Sequence, residues 1–482
     1  MDWETVIGIE VHCQLSVPSK LFCECSTAFG ADANTNVCPV CLGLPGSLPV
    51  ISERALRLAI RAGLALRCEI ASRTKWDRKN YFYPDLPKGY QISQYDMPLS
   101  TGGTIEVPLE NGTKKTVRIT RLHLEEDTGK LFHTEDGDAE SLVDLNRAGT
   151  PLIEIVTEPD IRSADEAWSY LTELRRILRY IDVSDCNMEE GSLRAEPNVS
   201  IRPLGAAKFG VKTEIKNLNS FKSVRDALTH EVERQRRILE SGGVVRQETL
   251  LWDVARGVTA PMRSKESAHD YRYFPEPDIP PVTVAASVVD AERRALPELP
   301  GARRARFEKD LALPAYDADV LCSDRATADY FEAVVKACPR DPKAASNWVM
   351  GEVLREAKER KVELHRFPVA PERLGELIGL VSAGTISVSA AKEAWKEMVE
   401  TGAGAKAVVE RRGLAQVSDA AAIDAMVAGV IAANEKIAGE VRGGKIAALK
   451  SLVGLVMRES KGKANPQMVN AALRRAFSLP PE

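Results

Sequence analysis

The run from Thr5 to Leu15 constrains this chain more than any other stretch, because its alternation leaves one use for each face. Side chains alternate across a β-strand, so Ile7, Ile9, Val11, Cys13 and Leu15 point one way and Gly8, Glu10, His12 and Gln14 the other. The first row must be buried in a core. The second is carboxylate, imidazole and carboxamide, where a solvated strand would carry Thr, Lys or Ser. A salt-bridged surface explains such a row, and so does the floor of a site for a metal or a phosphate.

Two close pairs of thiols follow, Cys23-Glu-Cys25 and Cys38-Pro-Val-Cys41, separated by a short loop. This is the ligand arrangement of a structural four-cysteine zinc site, in which all-sulfur ligation closes the coordination sphere. Pro39, Gly43, Pro45 and Gly46 supply the turns that aim paired sulfurs at one ion. Cys13, Cys68, Cys186, Cys322 and Cys338 are scattered and read as core thiols. Nothing demands disulfides and no signal peptide precedes Trp3, so the expected compartment is the cytoplasm.

The chain has 482 residues, of which 44% are hydrophobic and 28% charged, the profile of a soluble protein with two to four domains. No apolar run is long enough to cross a bilayer. The net charge of −4 is unevenly spread. From Arg442 to Arg475 the basic residues Arg442, Lys445, Lys450, Arg458, Lys461, Lys463, Arg474 and Arg475 face a single acid, Glu459. A phosphate-backbone partner accounts for such a tail; a solvated helix face is the plainer account.

The organisation is α+β. Up to about Pro281 the pattern is β-rich. Asn111-Gly112 between Thr104–Leu109 and Thr113–Thr120 is a hairpin signal, and further strands are expected over Ser141–Leu145, Leu152–Thr157, Asn198–Arg202 and Val211–Asn217. Two helices interrupt them. One starts at the capping box Ser163-Ala-Asp-Glu166 and buries Trp168, Leu171, Leu174 and Leu178. The other starts near Ser220 and stops at Gly242-Gly243. After Pro281 the pattern is helical, with a loop at Leu296–Gly301 and a second shift at Thr401–Gly404 into alanine-rich helices.

Acids recur at strand positions in the first part: Glu125, Glu126 and Asp127; Asp144, Glu154 and Glu158; Glu189 and Glu190; and Glu214 between Lys212 and Lys216. Mg²⁺ takes oxygen ligands and needs only one to a few carboxylates beside substrate phosphates. Arg78, Lys79, Lys88, Arg147, Lys212 and Lys216 are interleaved with them and suit a triphosphate. Taken singly, each acid is an ordinary surface salt-bridge partner. There is no P-loop, no G-x-G-x-x-G fingerprint, no G-x-S-x-G elbow and no H-E-x-x-H helix. Any nucleotide site must therefore be built from strands, acids and basic side chains.

At Leu142-Val-Asp-Leu-Asn-Arg-Ala-Gly-Thr-Pro-Leu-Ile-Glu-Ile155 the chain resembles the B subunit of the aspartyl/glutamyl-tRNA(Asn/Gln) amidotransferases, the GatB family. The resemblance runs end to end, through Val6–His12, Asp77–Asp85, Gln91–Tyr95, Leu122–Asp127, Met188–Arg194, Glu214–Ser220, Asp270–Asp278 and Lys461–Pro466. It implies a β-rich cradle domain over 1–292 carrying a kinase-like transamidation site and the zinc cluster, a helical domain over 293–404, and a helical tRNA-binding tail over 405–482. The thiols match the members of the family that bind zinc. Since other members lack them, the zinc is structural in this reading.

The implied reaction is ATP-dependent amidation of misacylated Glu-tRNA(Gln), Asp-tRNA(Asn) or both, through an acyl phosphate attacked by ammonia. The resemblance assigns catalysis to Glu10, His12, Glu125, Glu126 and Glu214, with Mg²⁺ on Glu10, His12, Glu125 or Glu126, and Glu214. His12 is the least typical ligand for a hard ion and has the alternative of orienting a water. Lys79, Lys88 and Arg147 are assigned to ATP phosphates, and Lys445, Lys450, Arg458, Lys461 and Lys463 to tRNA. Ammonia would come from a glutaminase (amidase) partner, the A subunit, braced by a small C subunit. The rival readings are a non-catalytic zinc-containing tRNA-binding scaffold and an ATP-dependent ligase of a free amino acid. The scaffold leaves the carboxylate-and-histidine strand unexplained; the ligase leaves the basic tail idle.

Overall fold

The computed structural model describes residues 2–133, 141–262, 271–416, 419–460 and 463–480. These fall into two units, Met1–Ala302 and Arg303–Glu482.

Along the first unit run β1 (Trp3–Gln14), α1 (Glu53–Ala65), β2 (Glu69–Ile70), β3 (Asp77–Asn80), β4 (Tyr90–Ser93), β5 (Ser100–Thr101), β6 (Thr104–Pro108) and β7 (Lys114–Glu126). They are followed by β8 (Pro151–Thr157), α2 (Ala164–Tyr180), β9 (Leu193–Pro203), β10 (Thr213–Lys216), α3 (Phe221–Glu240), β11 (Thr249–Asp253), β12 (Val258–Pro261) and β13 (Phe274–Pro275). Among the described residues ten strands form one sheet in the order β12-β11-β10-β9-β1-β8-β7-β5-β2, with β6 also on β7. β1 lies in the middle, antiparallel to both β8 and β9.

The two faces of β1 are used as its alternation requires. Ile7, Ile9, Val11, Cys13 and Leu15 are buried in a core with Leu58, Ala59 and Ala62 of α1, Leu171, Leu174 and Leu178 of α2, and Val224 and Leu228 of α3. Burial of each Val, Leu or Ile side chain among them contributes about 1.5–3 kcal/mol. With this face taken by helices, the other is left open. It is roofed by the small sheet β13-β3-β4, and Ser93 on β4 donates from Oγ to Glu125 of β7 at 2.8 Å.

Local signals set several boundaries. β6 and β7 pair antiparallel across Asn111-Gly112, with Gly112 at φ +79°. The Ser163 hydroxyl accepts from the Glu166 amide at 3.1 Å, and the Glu166 carboxylate reaches back to the Arg162 amide, one residue ahead of the cap. Ser220 caps α3, which ends at Glu240 ahead of Gly242. Two details differ from the sequence reading. Trp168 is only half-buried, edge-on to Phe221 with the Arg225 guanidinium over its ring, because it lies at the margin of the apolar stripe of α2. A third helix, α1, interrupts the β-rich region, capped by Ser52, whose hydroxyl accepts from the Ala55 amide.

The second unit is helical throughout its regular elements. Its last part packs Ala420–Ala433, Leu449–Glu459 and Pro466–Ala476 around Ile423, Val427, Leu452, Val456, Val469 and Leu473. No helix among the described residues is long and apolar enough to cross a membrane.

Candidate active site and cysteine cluster

The open face of the sheet carries a row of functional side chains. Registry places His12 of β1 opposite Glu154 of β8 on one side and Arg194 of β9 on the other, and Glu154 opposite His123 of β7. Glu10 stands opposite Glu196, and Asn198 opposite Glu214. Five neighbouring strands thus present aligned polar residues while Leu122, Leu124, Ile153, Ile155, Ala195 and Val199 face the core. Together with the small sheet they enclose a chamber of about 540 Å³.

His12 Nε2 lies 3.3 Å from Glu154 and 3.7 Å from Glu125. His123 Nε2 repeats the pattern, 3.3 Å from Glu154 and 3.6 Å from Glu125. Burial opposes charge on both imidazoles, but the two carboxylates outweigh it, raising His12 and pushing His123 up to about 9. The same contacts hold the Glu125 and Glu154 carboxyls down against their own burial. Glu10 behaves differently: burial and the charges of Glu154, Glu214 and Glu196 raise it. It accepts from Asn198 Nδ2 at 3.2 Å. Glu214 accepts from Thr249 at 2.8 Å and stands 3.2 Å from Lys216, which pairs with Glu196 at 2.6 Å.

Of the residues given a role from sequence, Glu10, His12, Glu125, Glu214 and Lys79 line this chamber, as do Asp127, Glu154 and Lys216 from the recurring acids and interleaved bases. Lys79 sits over the rings of Tyr271 and Tyr81, 4.9 and 6.0 Å from their centroids. Glu126 and Lys88 do not line it. Glu126 has the parity opposite to Glu125 on β7, accepts from the Ile92 amide at 2.9 Å and pairs with Lys88 at 2.6 Å. Both face a smaller cavity beside the cysteines. Arg147 is spent on the carbonyls of Thr128 and Gly129, 3.6 Å from Asp127. His123, Arg194 and Glu196 belong to the chamber and were not singled out from sequence, where Glu154 appeared only among the recurring acids; the alternation in Arg121-Leu-His-Leu-Glu125 and Leu193-Arg-Ala-Glu-Pro-Asn198 is the signal that carries the three.

The donor set fits a divalent cation. One atom each of His12, Glu125 and Glu154 lies within 4.8 Å of the others, and Nδ1 of both His12 and His123 is buried with no hydrogen-bond partner among the described residues. The cysteine site fits a soft ion: one sulfur each from Cys23, Cys25, Cys38 and Cys41 lies within 4.8 Å of the rest. The hydrogen bond from Cys23, opposed by burial and aided by the Cys38 amide and the Lys20 charge, holds the Cys41 thiol down to about 4. Lys20 is fully buried and donates to the carbonyls of Asn36 at 2.7 Å and Leu145 at 3.3 Å and to Cys41 Sγ at 3.5 Å. Gly149 adopts φ +88°, and a Cβ added there would lie 3.3 Å from Lys20 Cδ and 3.5 Å from Cys41 Cβ, so glycine suits this turn beside the cysteines. The other five cysteines are buried.

In the tail, Lys445, Lys450, Arg458 and Lys463 are exposed, and Lys445 pairs with Glu440 at 2.9 Å. Lys461 lies outside the described residues.

These features define a protein with a carboxylate- and histidine-floored chamber on a mixed sheet in one unit and helices in the other. Residues 5–290 match the family described as the GatB/GatE catalytic domain, and residues 329–477 the GatB domain. The B subunit of the aspartyl/glutamyl-tRNA(Asn/Gln) amidotransferase of Moorella thermoacetica is 54% identical over 475 residues, 98% of this chain and 99% of that one. The proteins of the same name from Chlorobium phaeobacteroides and Caldanaerobacter subterraneus are each 52% identical, over 98% and 99% of this chain and 99% and 100% of theirs. The chain belongs to the GatB family, the B subunits of the aspartyl/glutamyl-tRNA(Asn/Gln) amidotransferases.

Proposed function

We propose that this chain is the activating and amidating subunit of an ATP-dependent aminoacyl-tRNA amidotransferase, converting Glu-tRNA(Gln), Asp-tRNA(Asn) or both to the amides. The observation that carries the reading is the Arg194–His12–Glu154–His123 row, with Glu125 beside it, on the floor of one chamber. Acids in that number would repel a bare phosphate chain, so the scaffold reading has no use for them unless a cation is held there.

A carboxylate is a poor electrophile. Its oxygen attacks the γ-phosphorus of ATP and ADP leaves; ammonia then attacks the acyl carbon, expelling phosphate and giving up a proton. Such a step needs positioning and charge neutralisation more than a covalent protein group. His12, Glu125 and Glu154 would hold Mg²⁺, with Glu10 and Glu214 lining the same chamber, and the ion would supply charge neutralisation at phosphate oxygens when bound. Lys79, Arg121, Arg194 and Lys216 are the cations that line the same chamber. Glu10, raised above the usual carboxylate range by burial and its acidic neighbours, suits a proton acceptor for the attacking nitrogen.

Zn²⁺ on the four cysteines would brace the fold. Ammonia would be delivered by a glutaminase, the A subunit, held in place by a small C subunit, and the exposed bases of the tail would meet tRNA phosphates in the cytoplasm. On this reading the chain divides into a cradle over 1–292, a helical domain over 293–404 and a tail over 405–482. The test is ATP- and Mg²⁺-dependent conversion of Glu-tRNA(Gln) with ammonium chloride as nitrogen donor, the partners being added if the chain alone is inert. Conversion supports the reading. No conversion with partners present leaves the scaffold.

A further inference from the structure

The floor of the chamber is charged, but one wall is aromatic. Tyr81, Tyr95, Tyr271 and Tyr273 all line it. The rings of Tyr95 and Tyr273 are stacked, centroids 4.2 Å apart and planes within 10° of parallel. Tyr271 meets Tyr273 and Tyr81 edge-on, at 6.0 Å in each case. The set forms a continuous aromatic band, and the Lys79 ammonium over Tyr271 joins it to the charged floor.

Tyr95 is 60% exposed. A single exposed aromatic needs no explanation. This one is held flat by a second ring and lines a chamber whose floor suits phosphates. Its ring is also not what holds its own turn: the Tyr95 amide donates to Asp77 at 3.1 Å, and Asp77 is paired with Lys75. An open π-face stacks any nucleobase.

The geometry points to an adenine-stacking platform, the base lying on the open face of Tyr95 with Tyr273 behind it and the rest of the nucleotide turned toward the carboxylate–histidine floor. The inference rests on the function proposed above, in which both substrates carry an adenine: ATP, and the 3′-terminal adenosine of the tRNA. Either source presents the same ring to the same tyrosine, and the experiment separates them.

The measurement is steady-state amidation by the assembled enzyme, with ATP titrated at saturating aminoacyl-tRNA and then the reverse, for the wild type, Tyr95→Ala and Tyr95→Trp. Tyr95→Ala is expected to raise the KM of one substrate about tenfold or more, with Tyr95→Trp restoring it; the substrate affected identifies the source of the adenine. The inference is overturned if neither KM changes in Tyr95→Ala, or if a loss in Tyr95→Ala is not restored by Tyr95→Trp. A wild-type enzyme without ATP-dependent amidation would instead sink the function proposed above, so the two failures are distinct.

Discussion

His12 and Glu154 face each other across the pair β1–β8, imidazole Nε2 3.3 Å from the carboxylate, although far apart in the chain. The contact joins the strand that opens the protein to a segment that carries the family resemblance. It makes Glu154, not an outlying acid, the hub of the site, shared between His12 and His123. Glu154→Gln keeps the shape and removes the charge. ATP-dependent amidation should fall about 100-fold or more, while tRNA binding measured by filter retention stays near wild type. Activity within a fewfold of wild type would remove Glu154 from the site.

Lys20 should matter to the metal and not to the chemistry. Its ammonium is the buried charge facing Cys41, and partners of this kind typically change metal affinity 10–100-fold. Lys20→Met should weaken zinc binding by about that factor in a competition with a chromophoric chelator. An unchanged affinity would show that the charge is not felt at the sulfurs.

Glu231 gives a pH dependence of stability. It is fully buried on α3, paired with Arg234 at 2.7 Å and hydrogen-bonded by Thr213 and Gln235. Burial would raise its carboxyl, but Arg234, Gln235 and Thr213 prevail and lower it. A lowered carboxyl contributes stability that is fully present above its unfolded value of about 4.3 and is lost as pH falls through the folded value. Glu231→Gln should therefore cost about 1–3 kcal/mol at pH 7 and less near pH 4, as read from urea midpoints. An equal cost at both pH values would contradict the assignment.

The tail predicts a salt effect. Removing the charges of Lys450, Arg458 and Lys463 together should weaken tRNA binding at low salt. It should also flatten log K against log [salt] by about 0.7–0.9 for each phosphate no longer neutralised. Lys445, already paired with Glu440, should contribute less than the others. A slope unchanged by the triple variant would leave the tail as a solvated helix face.

The alternation of β1 makes its two faces legible from the residues alone, and the Asn111-Gly112 turn makes the hairpin legible for the same local reason. Helix α1 was missed although Ser52 and the spacing of Ala55, Leu58, Ala59 and Ala62 carried a helix signal, since small residues blur an apolar stripe. The convergence of His123, Glu154, Arg194 and Glu196 on β1 was not legible, because it depends on β1 lying between strands that come far later in the chain. Local sequence sets the parity of a side chain; only the sheet order sets its neighbours.

Parity is also what separates Glu125 from Glu126, and here the central claim meets its most direct test. Glu125 faces the chamber, where Ser93 donates to it, and Glu126 faces away to Lys88 and the Ile92 amide. Glutamine at either position keeps the shape of the side chain. In the ammonium-dependent conversion of Glu-tRNA(Gln), Glu125→Gln should lose activity about 100-fold or more, and Glu126→Gln should stay within a fewfold of wild type. The opposite order, with Glu126→Gln inert and Glu125→Gln active, would contradict the site described here.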